Sequence, residues 1–212
     1  MPFAHAVTDI EALRTIYRQP HELVVRTQID HVDDAARAFV EASPFVVVAT
    51  NGPAGADASP RGGAPGFVKV LDPGRLAMGD LAGNNRLDTH TNIVARPEVG
   101  LLFLVPGVEE TLRVNGRATL TTDPAVLGAV AADGRRPGMA IGIDVEECYI
   151  HCAKAFRRSK LWDPSSWPER ADRPSAARAL RDHIGLEASP EAIEADLEAG
   201  YRATLWDPGG LR

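Results

Sequence analysis

Apolar residues near the N-terminus recur at helical spacing, whereas those from Phe45 onward recur at strand spacing. Ile10, Leu13, Ile16 and Tyr17 form a stripe that predicts a helix over Asp9–Tyr17, with Thr8 as its N-cap and the core beneath it. A second helix is expected over Asp33–Ala42, with Ala36, Phe39 and Val40 inward, ended by Ser43-Pro44. The apolar run Phe45–Thr50 then reads as a buried strand. Asn51–Gly63, rich in Gly, Pro, Ala and Asp, reads as a loop. Gly66–Leu71 and Arg75–Gly79 flank Asp72-Pro73-Gly74 and predict a hairpin. A short helix follows over Arg86–Ala95, with Leu87, Thr91 and Val94 on one face. Val99–Val105 is strongly apolar, and Thr111–Leu120 alternates, with Leu112, Val114 and Leu120 on one side and Arg113, Asn115 and Arg117 on the other. Asp123-Pro124 opens a helix reaching about Ala132, and Glu146–Phe156 is the last expected strand. Two helical patterns follow Pro174, the second announced by Ser189-Pro190-Glu191.

Strands crowded between helical ends predict a mainly β chain with flanking helices, a closed antiparallel barrel rather than βαβ units. The expected organisation is a helical segment over 1–43 packing on the barrel, the barrel over 44–165, and a helical extension over 166–212. The 212 residues suit one domain with trimmings. A net charge of -6 argues against nucleic acid or an anionic membrane as partner, which leaves small molecules or a second copy. No stretch is long and apolar enough to span a membrane and no basic start precedes an apolar run, so a cytoplasmic location is expected. Lys69, Lys154 and Lys160 are the only lysines, so an anion site must rest mainly on arginine.

Four clusters could carry chemistry. Ser59-Pro60-Arg61-Gly62-Gly63 joins a hydroxyl and a guanidinium to glycines that let amides approach an anion; a plain surface loop explains the same residues. Gly83-Asn84-Asn85-Arg86 precedes a helix, where Arg opposes the dipole unless an anion sits there; an Asn cap with a solvated Arg is the alternative. Thr111, Arg113, Asn115 and Arg117 form a polar strand face that either meets solvent or faces a cofactor or partner. Arg157, Arg158, Ser159 and Trp162 could close over a flat anionic cofactor or form a solvated run. Cys148, His151 and Cys152 could join a metal site only with ligands from elsewhere, and a buried structural role suits the thiols better.

The succession of these clusters resembles the pyridoxamine 5′-phosphate oxidase-like family of FMN-binding split barrels, over Pro44 to Trp162. The likeness is carried by Phe67–Leu71 with Leu76–Asp80, by Asn84-Asn85-Arg86, by Asn92–Phe103 and by Leu112–Ala118. Ser59-Pro60-Arg61-Gly62, Gly83–Asp88, His151–Ala155 and Arg158–Trp162 also resemble a less characterised FMN-dependent branch. The resemblance implies a six-stranded antiparallel split barrel, FMN as cofactor, and a homodimer with the flavin at the subunit interface. It places Asn85 and Arg86 where the family's basic pair binds the FMN phosphate, beside Ser59, Arg61, Gly62 and Asn84. Met78, Gly79, Asp80, Thr111 and Arg113 would line the flavin; Trp162, with Arg158 and Ser159, would approach it from the second subunit. The oxidases proper carry Arg and Lys at the ends of the first hairpin strand, where this chain has Gly66 and Leu71 or Asp72; Arg61 and Lys69 are the nearest substitutes. The implied activity is hydride transfer between a small organic substrate or nicotinamide and FMN, without the vitamin B6 substrate and with no catalytic side chain singled out. A non-catalytic flavin-binding or storage module is the main rival. A haem-binding split barrel using His90 or His151 is another, with His90 expected at the surface or in a cap.

Overall fold

The computed structural model describes residues 3–132 and 134–207. Three helices open the chain: α1 (Ile10–Ile16), α2 (Glu22–Arg26) and α3 (Asp34–Ala42). Asp9, not Thr8, caps α1, its carboxylate accepting from the Ala12 amide at 2.7 Å. The expected cover over the core is not formed by α1: neither α1 nor α2 buries a residue, and Ile10, Ile16 and Tyr17 are exposed. By contrast, α3 is capped by Asp33 and turns Ala36 and Val40 inward as expected.

The sheet is built from β1 (Phe45–Gly52), β2 (Gly55–Gly62), β3 (Val68–Asp72), β4 (Arg75–Gly79), β5 (Glu98–Leu104), β6 (Thr111–Thr121) and β7 (Ala140–His151). Every pairing is antiparallel, in the order β2-β1-β5-β6-β7-β4-β3. The expected six-stranded closed barrel is thus corrected to seven strands in an open sheet whose edges are β2 and β3. The extra strand is β2, which composition assigns to a loop. Pro53 and Ala54 make a tight turn after Gly52, and the returning chain pairs residue for residue with β1 up to Phe45↔Gly62. Its Pro60 is tolerated because an edge strand need not donate on its outer side. Val46 and Val48 near one edge share a single core cluster with Val68 at the other, together with Leu76, Phe103, Val114 and Ile143, so the sheet curls around one interior. Helix α3 packs into the same cluster through Ala36 and Val40.

The remaining helices are α4 (Asp88–Ala95), α5 (Pro124–Ala129), α6 (Lys154–Ser159), α7 (Ala176–Ile184) and α8 (Pro190–Thr204). Two expectations shift here. The last strand starts six residues earlier than Glu146 and ends at His151, because α6 begins at Lys154. Cys148 and Cys152 therefore do not share a strand face: Cys148 is buried and Cys152, past the strand end, is exposed. In α4 the buried face is Thr89, His90, Asn92 and Ile93, while Leu87, Thr91 and Val94 face outward. The polar choice has a tertiary cause, since the helix lies over the polar ends of β1 and β2. No helix among the described residues is long and apolar enough to cross a membrane.

Candidate functional site

Strand alternation in β2 turns Asp57, Ser59 and Arg61 to one half-buried face while their neighbours face outward. Across from them the chain leaves β4 at Gly79, and Asp80 follows with its amide donating to Met139 O at 2.9 Å. Helix α4 is pinned between the two walls. Asn92 Nδ2 donates to Thr50 Oγ1 at 3.0 Å, and Thr89 Oγ1 donates to Asp57 Oδ2 at 3.0 Å. Gly52 permits that approach, because a Cβ there would collide with the Asn92 side chain. These elements enclose one side of a cavity of about 1260 Å³ lined by Ser59, Arg61, Asp80, His90 and the segment 81–89.

Arg61 supplies the clearest chemical signal in this cavity. Its Nε is buried with no hydrogen-bond partner, which for a permanently charged group is costly unless an anion completes the site. The segment before α4 is strained in a related way. Asn85 and Leu87 hold positive φ of 56° and 59°, a conformation that Asn tolerates and that costs Leu about 1 kcal/mol. Alternation of hand over successive residues turns N–H groups toward a common side, as in backbone anion nests. Asn84 fixes this turn by accepting from the Arg86 amide at 3.1 Å. Arg86 itself donates to Asp88 at 2.8 Å from a largely exposed side chain, and this hydrogen bond holds its guanidinium above the usual arginine range.

His90 and Asp80 form the floor. Each side chain is 9% exposed, and His90 Nε2 lies 3.2 Å from Asp80 Oδ1, without the angle of a hydrogen bond, while Nδ1 has no partner. The expected surface or capping role of His90 is corrected to a buried one: α4 turns it inward beside Thr89, onto the cavity.

The sequence-predicted site residues fall into separate places. Ser59, Arg61, Asp80, Asn84, Asn85 and Arg86 line the same cavity. Gly62 ends β2, Met78 is buried in the main core, and Gly79 packs closely on Pro137. Thr111 is buried opposite His151, and Arg113 donates to Tyr149 OH at 2.8 Å across the β6–β7 ladder. Burial, then the Arg113 charge, lowers the His151 pKa. Trp162 lines a second cavity of about 510 Å³ with Phe156, Arg157 and Glu109; its ring stacks on Phe156 at 5.3 Å and its Nε1 donates to Val108 O at 2.8 Å. Arg158 and Ser159 are exposed on α6, with Ser159 Oγ donating to Phe156 O. No group of three or more His, Cys, Asp or Glu among the described residues could hold a metal ion. The sequence reading missed Asp57, Met139 and the apolar residues of α7 and α8 that form the far wall. The period-two placement of Asp57, Ser59 and Arg61 was the available signal for the first.

The chain belongs to the pyridoxamine 5′-phosphate oxidase family, whose sequence profile matches residues 32–152. That match runs from the start of α3 through the whole sheet and stops before α6. No curated protein matches the chain. Among solved structures it is similar to HupZ from Group A Streptococcus, at 16% identity and a TM-score of 0.46, covering 55% of this chain and 91% of that one. A Lactobacillus delbrueckii protein designated a candidate pyridoxamine 5′-phosphate oxidase is similar at 21% identity and a TM-score of 0.45, with 57% and 95% covered. An FAD-binding protein from Mycobacterium smegmatis is similar at 12% identity and a TM-score of 0.41, with 57% and 96% covered.

Proposed function

We propose that this chain binds FMN in the main cavity and serves, as a homodimer, as an FMN-dependent oxidoreductase acting on a small organic molecule. The observation that carries the reading is the buried, unpartnered Nε of Arg61 on a cavity that also holds Ser59 and the strained Asn84–Arg86 turn. These residues suit a phosphate: a charged donor, a hydroxyl and a turn able to present amides, in a cavity of the size ligands occupy. Arg61 and Ser59 would hold the phosphate, with Arg86 exchanging Asp88 for it. A bound flavin supplies hydride chemistry, for which the protein contributes binding, orientation and exclusion of water. Asp80 and His90 keep a polar, titratable floor beneath that space. In a homodimer, Trp162 and Arg158 would reach the flavin of the partner subunit, which accounts for their separation from Arg61 within one chain.

The test is the visible spectrum of the purified protein, with mass identification of whatever denaturation releases. Two flavin bands and released FMN support the reading, and turnover with a reduced nicotinamide separates an oxidoreductase from a storage module. A Soret band, or failure to take up added FMN, overturns it.

A further inference from the structure

The main cavity has two chemically different walls, and only the first belongs to the family-matched segment. The second is the α7–α8 hairpin, which lies beyond the match. Ala177 of α7 and Ile193 of α8 are buried. Leu180 and Ile184 on α7, with Leu197 and Tyr201 on α8, line the cavity at helical spacing. Ile184 and Tyr201 are 66% and 57% exposed, so this apolar surface is left wet by the chain itself. The hairpin is fixed at its far end, where the Ala82 amide donates to Asp207 O at 2.9 Å and the Arg135 guanidinium lies 5.7 Å from the Trp206 ring. The apolar wall therefore shares one cavity with Ser59 and Arg61.

Charge narrows what can fill the space between. Asp207 aside, the described residues lining the cavity include four aspartates and two arginines, with no lysine. In the flavin reading both arginines are taken by the phosphate, Arg61 directly and Arg86 after leaving Asp88. A second anion would enter a site whose described residues carry excess negative charge beside that of the phosphate, even with Arg158 of the partner subunit at the flavin, whereas a neutral or cationic molecule would not be repelled. His90, whose ring nitrogens make no hydrogen bond, adds a polar contact on the floor.

We propose that the cavity admits, beside the flavin, an apolar organic molecule with a neutral or cationic head, and that the α7–α8 hairpin selects it. Phosphorylated vitamers are then excluded by charge and not by size. This rests on the flavin reading for the assignment of Arg61.

The experiment uses the full chain loaded with FMN and titrated with Nile red, an uncharged dye that fluoresces in apolar surroundings. Bound dye is then displaced with 4-tert-butylbenzylamine or with 4-tert-butylbenzoate, which share an apolar body and differ in head charge. Binding with FMN in place is expected, with the amine displacing dye at a concentration lower by about tenfold or more, equivalent to one close charge contact. Ile184→Glu and Tyr201→Glu, on exposed positions whose folding is checked by circular dichroism, should each weaken the dye by about tenfold while FMN retention holds. The proposal is overturned by unchanged dye affinity in both variants, by a benzoate as effective as the amine, or by displacement of the dye by FMN. A chain that retains no FMN yet keeps the amine preference and the variant losses overturns the flavin reading and leaves the selectivity of the wall standing.

Discussion

Replacing Arg61 by alanine isolates the feature on which the flavin reading stands. Arg61 Nε is buried and makes no hydrogen bond, so its removal leaves no partner stranded. The folded state sheds a buried, unsatisfied donor and loses the packing of a half-buried stem, two opposed effects that should leave stability within about 1 kcal/mol of the wild type. Binding should behave differently. A hydrogen bond to a charged group contributes about 1.5–3 kcal/mol, so FMN affinity should fall by roughly 10- to 150-fold. Arg86→Ala should cost less, below about 1 kcal/mol, because its side chain is 72% exposed and must leave Asp88 to reach the phosphate. Titrating each protein with FMN and with riboflavin, followed by quenching of flavin fluorescence, separates phosphate binding from ring binding. Arg61→Ala should weaken FMN and leave riboflavin within about twofold, inside the scatter of such comparisons. Equal losses for the two flavins would refute the assignment of Arg61 to the phosphate.

Four further outcomes follow from local geometry. Burial pushes the Cys148 thiol from 9.0 to about 11, so the neutral form is favoured by the fold; its stabilising contribution is present below pH 9 and lost as pH rises toward 11. Urea midpoints measured across that range should fall in the wild type and fall less in Cys148→Ala. Native alkylation at pH 8 should label exposed Cys152 alone, and both thiols only after unfolding, as counted by mass spectrometry. Gly116→Ala should destabilise by about 2 kcal/mol or more in urea unfolding, since its Cβ would collide with the Asp144 carbonyl at the β6–β7 bulge; a smaller cost would show that the bulge yields. Leu87→Gly, at φ 59° and in the cap position of α4, should raise stability by about 1 kcal/mol, read as a higher melting temperature; a loss would mean that the Leu87 side chain contributes more than its backbone costs.

Local signals carried the fold where a single element decides its own form. The caps at Asp123 and Ser189, the Asp72-Pro73-Gly74 turn and the alternation of Thr111–Leu120 depend on neighbours in sequence, and each stands in the structure. β2 was illegible for the opposite reason. Gly55–Gly62 has weak strand composition, and it becomes a strand because β1 offers an edge and the turn at Pro53-Ala54 returns the chain to it. The same holds for Ala140–Val145, whose pairing with β4 and β6 overrides the glycine at position 142. The apolar stripe of α1 was readable, but what it should cover was not, since periodicity gives a face and never its partner.

The site divides along the same line. Ser59, Arg61 and Asn84–Arg86 could be singled out from the sequence because their residue types suit anions and because their order matches a family pattern. His90 could not, because an imidazole between Thr89 and Thr91 on a short helix looks solvent-facing until α4 is anchored through Asn92 to Thr50 and through Thr89 to Asp57. Those two hydrogen bonds cost the helix its more apolar face, leaving Val94 78% exposed, and in return set His90 beside Asp80. A fold optimised for core burial alone would have turned α4 the other way. That it did not ties the exposure of Val94 to the placement of the cavity floor. Thr89→Val together with Asn92→Leu should therefore release the helix rotation, bury Val94 and move His90 out of the cavity, seen as exchange and shift of the His90 ring signals in NMR. A His90 environment unchanged in that double variant would mean that packing of Ile93, and not the polar anchors, sets the helix.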